Sequence, residues 1–287
     1  MSSSESLSSK SEGLERRDRV ALLFREAYAR RRAIVIICEG AHLVGMKRII
    51  ARLAHILDPR HYRVHWHAAR GEKNRHRPFL LPYWKALPAF GDLLILERSY
   101  YYDCILGRVS GKIGKKRYTT LIREFNDFER TLHDNGYRVL KLALDRPKKK
   151  LEKDYRKSRS RKRDPISLLD EDLEFLLKRN DGYHRYLDEL LEQTAAPHAP
   201  WFRPTSAGYK QLEADVLGFL IARLEEDLDV NSMEAVKDFD DAMQRMRVQE
   251  RQPVGAAGST EDAGKDEEAP TSTGTTWKSV GVEDEDE

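Results

Sequence analysis

Short apolar runs alternate with longer segments of helical periodicity along most of this chain. The apolar runs predict β-strands at residues 33–38, 62–66, 92–96, 139–144 and 201–203. Runs of this length that are rich in Ile, Leu and Val are typical of buried strands. The helical patterns predict α-helices at residues 15–32, 45–57, 118–135, 148–163, 170–191 and 211–228, and over part of 79–87.

This alternation of strands and helices favours one fold class. It is typical of a three-layer α/β sandwich with a mostly parallel sheet. In such sheets, ligands bind where the strands reach their carboxyl ends. Here those ends are residues 39–47, 67–72, 97–103 and 145–150. The sequence therefore predicts a ligand site built from these loops.

The chain divides into four parts by composition. Residues 1–14 are rich in serine and predict a disordered arm, residues 15–230 a folded domain and residues 231–251 a helical extension. Residues 252–287 are rich in Gly, Ser, Thr, Pro and acidic residues, and predict a disordered acidic tail. The N-terminus has no apolar signal core, and no apolar run is long enough for a membrane span. Two cysteines without metal-ligand spacing fit reduced thiols. Together these features predict a cytoplasmic protein without a membrane span.

Charge is distributed unevenly along the chain. The formal net charge is +3, but residues 261–287 carry ten acidic residues and two lysines, a local charge of −8. The remainder therefore carries about +11 (3 + 8), and ten of the sixteen residues at 148–163 are Lys or Arg. Such a body attracts polyanions: nucleotides, polyphosphate, nucleic acid or acidic lipid. Specific nucleic-acid binding is disfavoured, because the basic run has few aromatic residues and the chain has no recognition motif.

The first strand leads into a loop with the spacing of a phosphate-binding loop. Gly40 and Gly45 are separated by four residues, as in the pattern G-x-x-x-x-G-K-[S/T]. Met46 stands where that pattern has a lysine, which reaches the outer phosphates. Lys47 follows, but one residue on a helix is about 100° of rotation, so its side chain should point elsewhere. The loop therefore indicates a phosphate site that has lost a working cation.

Several further motifs resemble those of one family, the type-2 polyphosphate kinases, a branch of the P-loop kinases. The resemblance covers residues 15–230, and its motifs follow in order along the chain. The matching positions are Glu39-Gly40 with Gly45, Asp58-Pro59-Arg60, Tyr62-Arg63-Val64, Phe79-Leu80, Tyr83-Trp84, Leu87-Pro88, Gly91, Arg98-Ser99 with Tyr101, Asn126-Asp127-Phe128-Glu129, Asp164-Pro165, Tyr183, Thr194, Ala199-Pro200-Trp201 and Lys210.

The resemblance implies a P-loop kinase-like sheet with a helical lid. It also implies transfer of a phosphoryl group between inorganic polyphosphate and a nucleoside mono- or diphosphate, with Mg²⁺, in a protein that forms homo-oligomers. The implied catalytic positions are His42, Glu97 and Arg98, with Glu97 also the one metal ligand. The implied phosphate-binding positions are Gly40, Gly45, Lys47 and Arg98. The implied lid residues that hold polyphosphate are Lys149, Lys153, Arg156 and Arg163.

The departures from the family pattern bear on activity. The family has an aspartate where this chain has His42, and a lysine where it has Met46. Its D-R-S motif begins here with Glu97, and the arginine that it places before an L-P turn is missing near Pro82. Asp103 and Glu129 are weaker candidates for ligands, since carboxylates on helix surfaces are commoner.

Three functions remain open from the sequence. The first is a polyphosphate-dependent nucleotide phosphotransferase whose catalysis is impaired or lost. The second is a non-catalytic polyphosphate- or nucleotide-binding protein that regulates an active homologue, in a hetero-oligomer with it. The third, the least favoured, is a nucleic-acid binder.

Overall fold

A parallel β-sheet of five strands forms the centre of the molecule. The structure, a computed structural model, describes residues 2–41, 43–66, 77–160, 174, 177–205, 208–238 and 241. The strands are β1 (Ile34–Glu39), β2 (Tyr62–Trp66), β3 (Leu93–Glu97), β4 (Arg138–Ala143) and β5 (Trp201–Phe202). Their order is β2-β3-β1-β4-β5, and all neighbouring pairs are parallel. The predicted parallel α/β sheet is confirmed.

Helices cover both faces of this sheet. They are α1 (Ser2–Ala29), α2 (Leu43–Ile56), α3 (Leu81–Ala86), α4 (Tyr100–Val109), α5 (Lys115–Asp134), α6 (Lys148–Ser160), α7 (Asn180–Gln193) and α8 (Tyr209–Leu228). Residues 232–238 are also helical. Residues 1–242 form one compact unit, and the acidic tail lies outside the described residues.

Two apolar clusters separate the sheet from its helices and define the three layers. On β1, Val35 and Ile37 face one cluster, which they share with α3, α4, α5 and α7. Ile34, Ile36 and Cys38 face the other cluster, which includes α1, α2 and α8. Because successive side chains of a strand point to opposite faces, a strand buried on both faces is apolar throughout. This is why β1 and β3 are apolar up to their last residue.

Several helices differ from the prediction. Helix α1 begins at Ser2 and so includes the segment for which the sequence predicts disorder. Helix α2 begins at Leu43 rather than near Gly45, which places the second glycine of the loop inside the helix. Helix α4 was not predicted at all, and it follows β3 after only two residues.

Both cysteines behave as core side chains. Cys38 and Cys104 are fully buried and unpaired. Burial, followed by the charge of Asp103, raises the pKa of Cys104 to about 12, and burial likewise raises the pKa of Cys38. Neither thiol is a nucleophile near neutral pH.

Among the helices that the structure describes, none has the length and hydropathy needed to cross a bilayer.

Candidate active site

The loop after β1 depends on a glycine in its first position. Gly40 has a φ of +121°, and a Cβ at this residue would lie 2.3 Å from the carbonyl oxygen of Leu144. The backbone N–H of Leu144 in turn donates to the carbonyl oxygen of Glu39, at 2.6 Å. Gly40 therefore lets the loops after β1 and β4 meet at the carboxyl edge of the sheet, which a side chain would prevent.

Helix α2 points its N-terminus at this edge, but the residue after the second glycine turns away from it. Gly45 is buried in the first turn. The side chain of Met46 is 0% exposed and packs in the apolar cluster between the sheet and α2. Lys47 is half-buried. His42 lies outside the described residues. The position that follows Gly45 is therefore filled by a buried apolar side chain.

Glu39, at the end of β1, has its carboxylate inside the protein. It is 0% exposed and accepts hydrogen bonds from the backbone N–H of Ser99 at 3.2 Å and from the Ser99 hydroxyl at 3.1 Å. Burial raises the pKa of Glu39 to about 7, although the hydrogen bonds from Ser99 and from the N–H of Gly40 oppose this rise. Glu39 thus ties the turn after β3 to the end of β1, a role that the sequence prediction missed.

The turn after β3 brings Glu97 and Arg98 to the same edge. Glu97 pairs with Cys38 in the register of β3 and β1, and it is half-buried. Arg98 is 2% exposed, and its guanidinium lies 4.4 Å from the ring centroid of Tyr102. Its backbone has a φ of +61°, a left-handed conformation that is unfavourable for a residue with a side chain and recurs at functional sites. The predicted residues therefore lie at or next to two neighbouring turns at this edge: Gly40, Gly45 and Lys47 at the turn from β1 into α2, and Glu97 and Arg98 at the end of β3.

A buried polar network fixes the helix that follows Arg98. Glu129 accepts hydrogen bonds from the hydroxyls of Tyr100 at 2.6 Å and Tyr101 at 2.5 Å. The Lys141 ammonium donates to Glu129 at 2.7 Å and to the carbonyl of Thr194 at 2.6 Å. Both charged side chains are within 1% of complete burial. Glu129 is therefore a structural anchor of α4 rather than a helix-surface carboxylate, and its oxygens are occupied.

The predicted lid residues lie on α6, which begins a few residues after β4. Lys149, Lys153 and Arg156 are exposed, and their spacing puts them on one face of the helix. Leu151 is 1% exposed and anchors α6 to the core. Arg163 lies outside the described residues. The helix thus presents a row of three cations next to the carboxyl edge.

A cavity of about 590 Å³ opens at the other end of the sheet. Its lining includes Phe24 and Tyr28 of α1, together with Ile34, Tyr62 and Leu93 at the amino ends of three strands. A strand of six residues is about 20 Å long, so this cavity is well separated from the loops described above. Because most of its lining is apolar, it does not suit a polyanion.

Comparisons with known proteins agree on one family. The family description Polyphosphate kinase 2 (PPK2) matches residues 4–228. A polyphosphate:AMP phosphotransferase of Pseudomonas aeruginosa is 30% identical over 188 residues, which are 64% of this chain and 37% of that protein. A GDP-polyphosphate phosphotransferase of Mycobacterium tuberculosis is 26% identical over 195 residues, which are 67% of this chain and 65% of that protein.

A solved structure shows the same fold. The crystal structure of a putative polyphosphate kinase 2 from Pseudomonas aeruginosa PA01 superposes with a TM-score of 0.71 at 25% identity, over 77% of this chain and 48% of that one. The chain spans only about two fifths of the length of the polyphosphate:AMP phosphotransferase. Fold and site define a parallel α/β protein whose loops bring Glu97 and Arg98 to the carboxyl edge of the sheet. The family match covers more than half of the chain, and this chain belongs to the polyphosphate kinase 2 family.

Proposed function

We propose that this chain binds inorganic polyphosphate and a nucleoside mono- or diphosphate at the carboxyl edge of its sheet, and transfers phosphoryl groups between them slowly or not at all. Relatives are named for transfer between polyphosphate and AMP, ADP or GDP, which supports the substrate class. The observation that carries the proposal is Met46, whose completely buried side chain lies where the loop pattern has a lysine.

The rate argument follows from the chemistry of phosphoryl transfer. The reaction depends on positioning and on neutralising charge that spreads over the transferred group. Removing one pre-organised donor of this kind lowers a rate by about 10²–10³. Arg98 and Lys47 still provide positive charge near the loop, which supports binding. We expect turnover below about 10⁻² s⁻¹, against the 1–100 s⁻¹ typical of kinases.

The metal that we propose for this reaction is Mg²⁺, held by Glu97. Mg²⁺ usually binds one or two carboxylates and completes its coordination with water and substrate phosphates. In the part of the chain that the structure describes, no group of three or more His, Cys, Asp or Glu side chains could hold a metal. The carboxylate of Glu97 therefore suits a metal that arrives with the nucleotide or polyphosphate. The role of the Mg²⁺ ion would be to neutralise phosphate charge.

A second candidate function is that of a non-catalytic partner of an active homologue. Met46 favours it, because a buried apolar side chain after Gly45 leaves a loop that can still hold phosphate without the cation that transfer needs. In this reading an active homologue would supply the missing cation in a hetero-oligomer. The test is the rate of an active homologue with and without this chain; an unchanged rate and no co-elution would rule the regulatory function out.

Neutralising the row of cations on α6 should weaken polyphosphate binding. Replacing Lys149, Lys153 and Arg156 by alanine removes three exposed charges on one helix face. We expect the Kd to rise at least tenfold at low salt and the salt dependence to become shallower, because fewer counterions are displaced. Fluorescence anisotropy of labelled polyphosphate at several salt concentrations measures both.

A matched control removes three cations from the opposite edge. Arg25, Arg31 and Arg60 are exposed near the amino ends of the strands. If their replacement by alanine weakens polyphosphate binding as much as the α6 variant does, binding depends on net charge alone, and α6 has no special role.

Removing the acidic tail should strengthen polyphosphate binding. Residues 261–287 carry a local charge of −8, which repels a polyanion or competes with it for the basic domain. We expect a chain ending at residue 251 to bind polyphosphate several-fold more tightly at low salt, with the difference shrinking as salt is raised. Equal affinity of the two chains at low salt would contradict this competition.

The proposal as a whole is tested on the full-length chain. Purified protein is incubated with polyphosphate, Mg²⁺ or Mn²⁺, and AMP, ADP or GDP, and both binding and product formation are followed. Binding without product over minutes supports the proposal. Turnover of about 1 s⁻¹ would overturn it, as would the absence of binding to either substrate.

A further inference from the structure

Four ionisable side chains join three separate elements at the carboxyl edge. Asp145 follows β4, His184 and Asp188 lie on α7, and Arg203 follows β5. Nδ1 of His184 and Nη2 of Arg203 each lie 3.0 Å from Oδ2 of Asp145. Nη1 of Arg203 donates to Asp188 at 2.7 Å. We call these four residues the Asp145 cluster.

The Asp145 cluster lies where the segment that carries the cations of α6 leaves the sheet and where it returns. The chain leaves the sheet directly after Asp145, passes through α6 and returns at α7. The two ends of this segment, residues 146–179, are therefore joined by the contact between Asp145 and His184. The backbone N–H of Arg146 adds a hydrogen bond of 2.8 Å to the Asp145 carboxylate.

A buried tyrosine connects the cluster to the loops after β1 and β3. Tyr183, next to His184 on α7, is 0% exposed. Burial raises the pKa of its hydroxyl well above the usual value, and the charges of Glu39 and Asp145 raise it further, while that of Arg98 lowers it. Charges of the Asp145 cluster and of the candidate active site therefore both act on the same buried hydroxyl.

We propose that His184 and Arg203 are positioning residues: by holding Asp145, they fix both ends of the 146–179 segment at the polyphosphate-binding edge, and protonation of His184 tightens this hold. The link to polyphosphate rests on the function proposed above, whereas the contacts of His184 and Arg203 with Asp145 are independent of it.

The charges around His184 set the direction of the pH dependence. The hydrogen bond to Asp145 raises the pKa of His184 above its ordinary 6.5 against the effect of burial; the charges of Asp145 and Asp188 raise it further, and that of Arg203 lowers it. Burial would raise the pKa of Asp145, but hydrogen bonds from His184, the Arg146 N–H and Arg203 outweigh it and lower the pKa below its ordinary 3.8. The contact is therefore complete between pH 3.8 and 6.5. It weakens as pH rises through the raised pKa of His184.

The first test is the titration of His184 by NMR on the full chain with labelled histidine. His184→Gln assigns the signal among the nine histidines. We expect a pKa above 6.5 in the wild type and a lower value in Asp145→Asn. A His184 signal whose pKa does not change in Asp145→Asn would overturn the proposed contact.

The second test is hydrogen exchange of α6, corrected for intrinsic rates, at about pH 5.5 and about pH 8.5. In the wild type we expect amides of α6 to be about tenfold better protected at the lower pH, the effect of one charge-assisted hydrogen bond. His184→Gln should lose this difference. His184→Lys, which keeps a cation, should retain the protection at both pH values.

A matched control removes a second His–Asp contact at the opposite edge of the sheet. His61 lies 3.2 Å from Asp92. His61→Gln should leave the pH dependence of α6 exchange unchanged. If it abolishes that dependence as His184→Gln does, the effect is a general loss of stability, and the proposal fails.

Polyphosphate affinity then separates this inference from the proposed function. At about pH 5.5, His184→Gln should bind polyphosphate about tenfold more weakly than the wild type, and His184→Lys should not. Equal binding by wild type and His184→Gln would overturn the positioning role. If no variant binds polyphosphate while exchange and titration behave as expected, the hold on the segment stands and the proposed function fails.

Discussion

Restoring the two missing side chains of the loop, by His42→Asp together with Met46→Lys, should raise the turnover of this protein by at least about 10²-fold. The lysine would provide the cation that the loop pattern aims at the outer phosphates, and one such donor contributes about 10²–10³ in rate. The aspartate would add an oxygen ligand of the kind that Mg²⁺ prefers. The measurement is product formation from polyphosphate and nucleotide under saturating conditions.

The structure indicates that Met46→Lys lowers the stability of the protein. Met46 is completely buried among apolar side chains, and an ammonium group there is unfavourable unless it reaches water. Position 46 lies in the first turn of α2, so a lysine stem can run along the core while its head emerges near the loop. We therefore expect the double variant to be faster but less stable, with a lower midpoint of urea unfolding.

Two outcomes of this exchange are informative. Met46→Leu keeps an apolar side chain of similar size and serves as the control, since it should leave the rate at the wild-type level. A folded double variant without a gain in rate would mean that the site has been rebuilt for another use. In that case the buried methionine does not explain slow transfer.

Replacing Lys141 by methionine should be among the most destabilising single changes in this chain. Lys141 and Glu129 form an ion pair that is within 1% of complete burial on both sides, and removing one partner of such a pair costs about 3–5 kcal/mol. The loss should appear as a lower urea midpoint with an unchanged slope. Because Glu129 also holds Tyr100 and Tyr101, the variant should loosen the first turn of α4, next to Arg98.

A double variant and a surface control make this prediction specific. Lys141→Met combined with Glu129→Gln removes both charges, so its destabilisation should be smaller than the sum of the two single changes. Glu26→Gln breaks a largely exposed pair with Arg30 and should change stability by less than about 0.5 kcal/mol. A loss below about 1 kcal/mol for Lys141→Met would show that the buried pair contributes little.

The sheet could be predicted from sequence because its central strands are buried on both faces. Residues 62–66 were predicted as a strand with the bounds of β2; β1, β3 and β4 are each shifted by one residue from the prediction, and β5 ends one residue earlier. The rule that ligands bind at carboxyl ends then located Glu97 and Arg98 correctly at that edge. Apolar periodicity and the usual topology of parallel sheets were sufficient for this much.

Other features were missed for identifiable reasons. Helix α4 was missed because it begins with three buried tyrosines and therefore lacks the polar face of an amphipathic helix. The available signal was Ser99, a residue type that favours the N-cap of a helix, and its side chain accepts a hydrogen bond from the N–H of Tyr101. The start of α2 was predicted near Gly45, because glycine disfavours the interior of a helix, but the helix includes this glycine. Met46, Ile49 and Leu53, which follow Gly45 at helical spacing, pack into the apolar cluster and stabilise the helix. Glycine in a helix costs about 1 kcal/mol, which this packing offsets.

Contacts between distant residues could not be read from the sequence. The pairing of Asp145 with His184 and Arg203, and of Glu129 with Lys141, joins separate elements across the sheet edge or core. Each of these residues alone is an ordinary charged position on a helix, strand or loop. Only the fold brings opposite charges together and removes them from water, so the structure is needed to identify them.

The most direct measurement of slow transfer is a single-turnover experiment with the wild-type chain in excess over labelled nucleotide, in saturating polyphosphate and Mg²⁺. Under these conditions product release does not limit the observed rate, so the rate reports the chemical step. We predict a rate constant below about 10⁻² s⁻¹ despite saturated binding. A chemical step of about 1 s⁻¹ or faster would show that a site with buried Met46 transfers phosphate well, and would contradict this account.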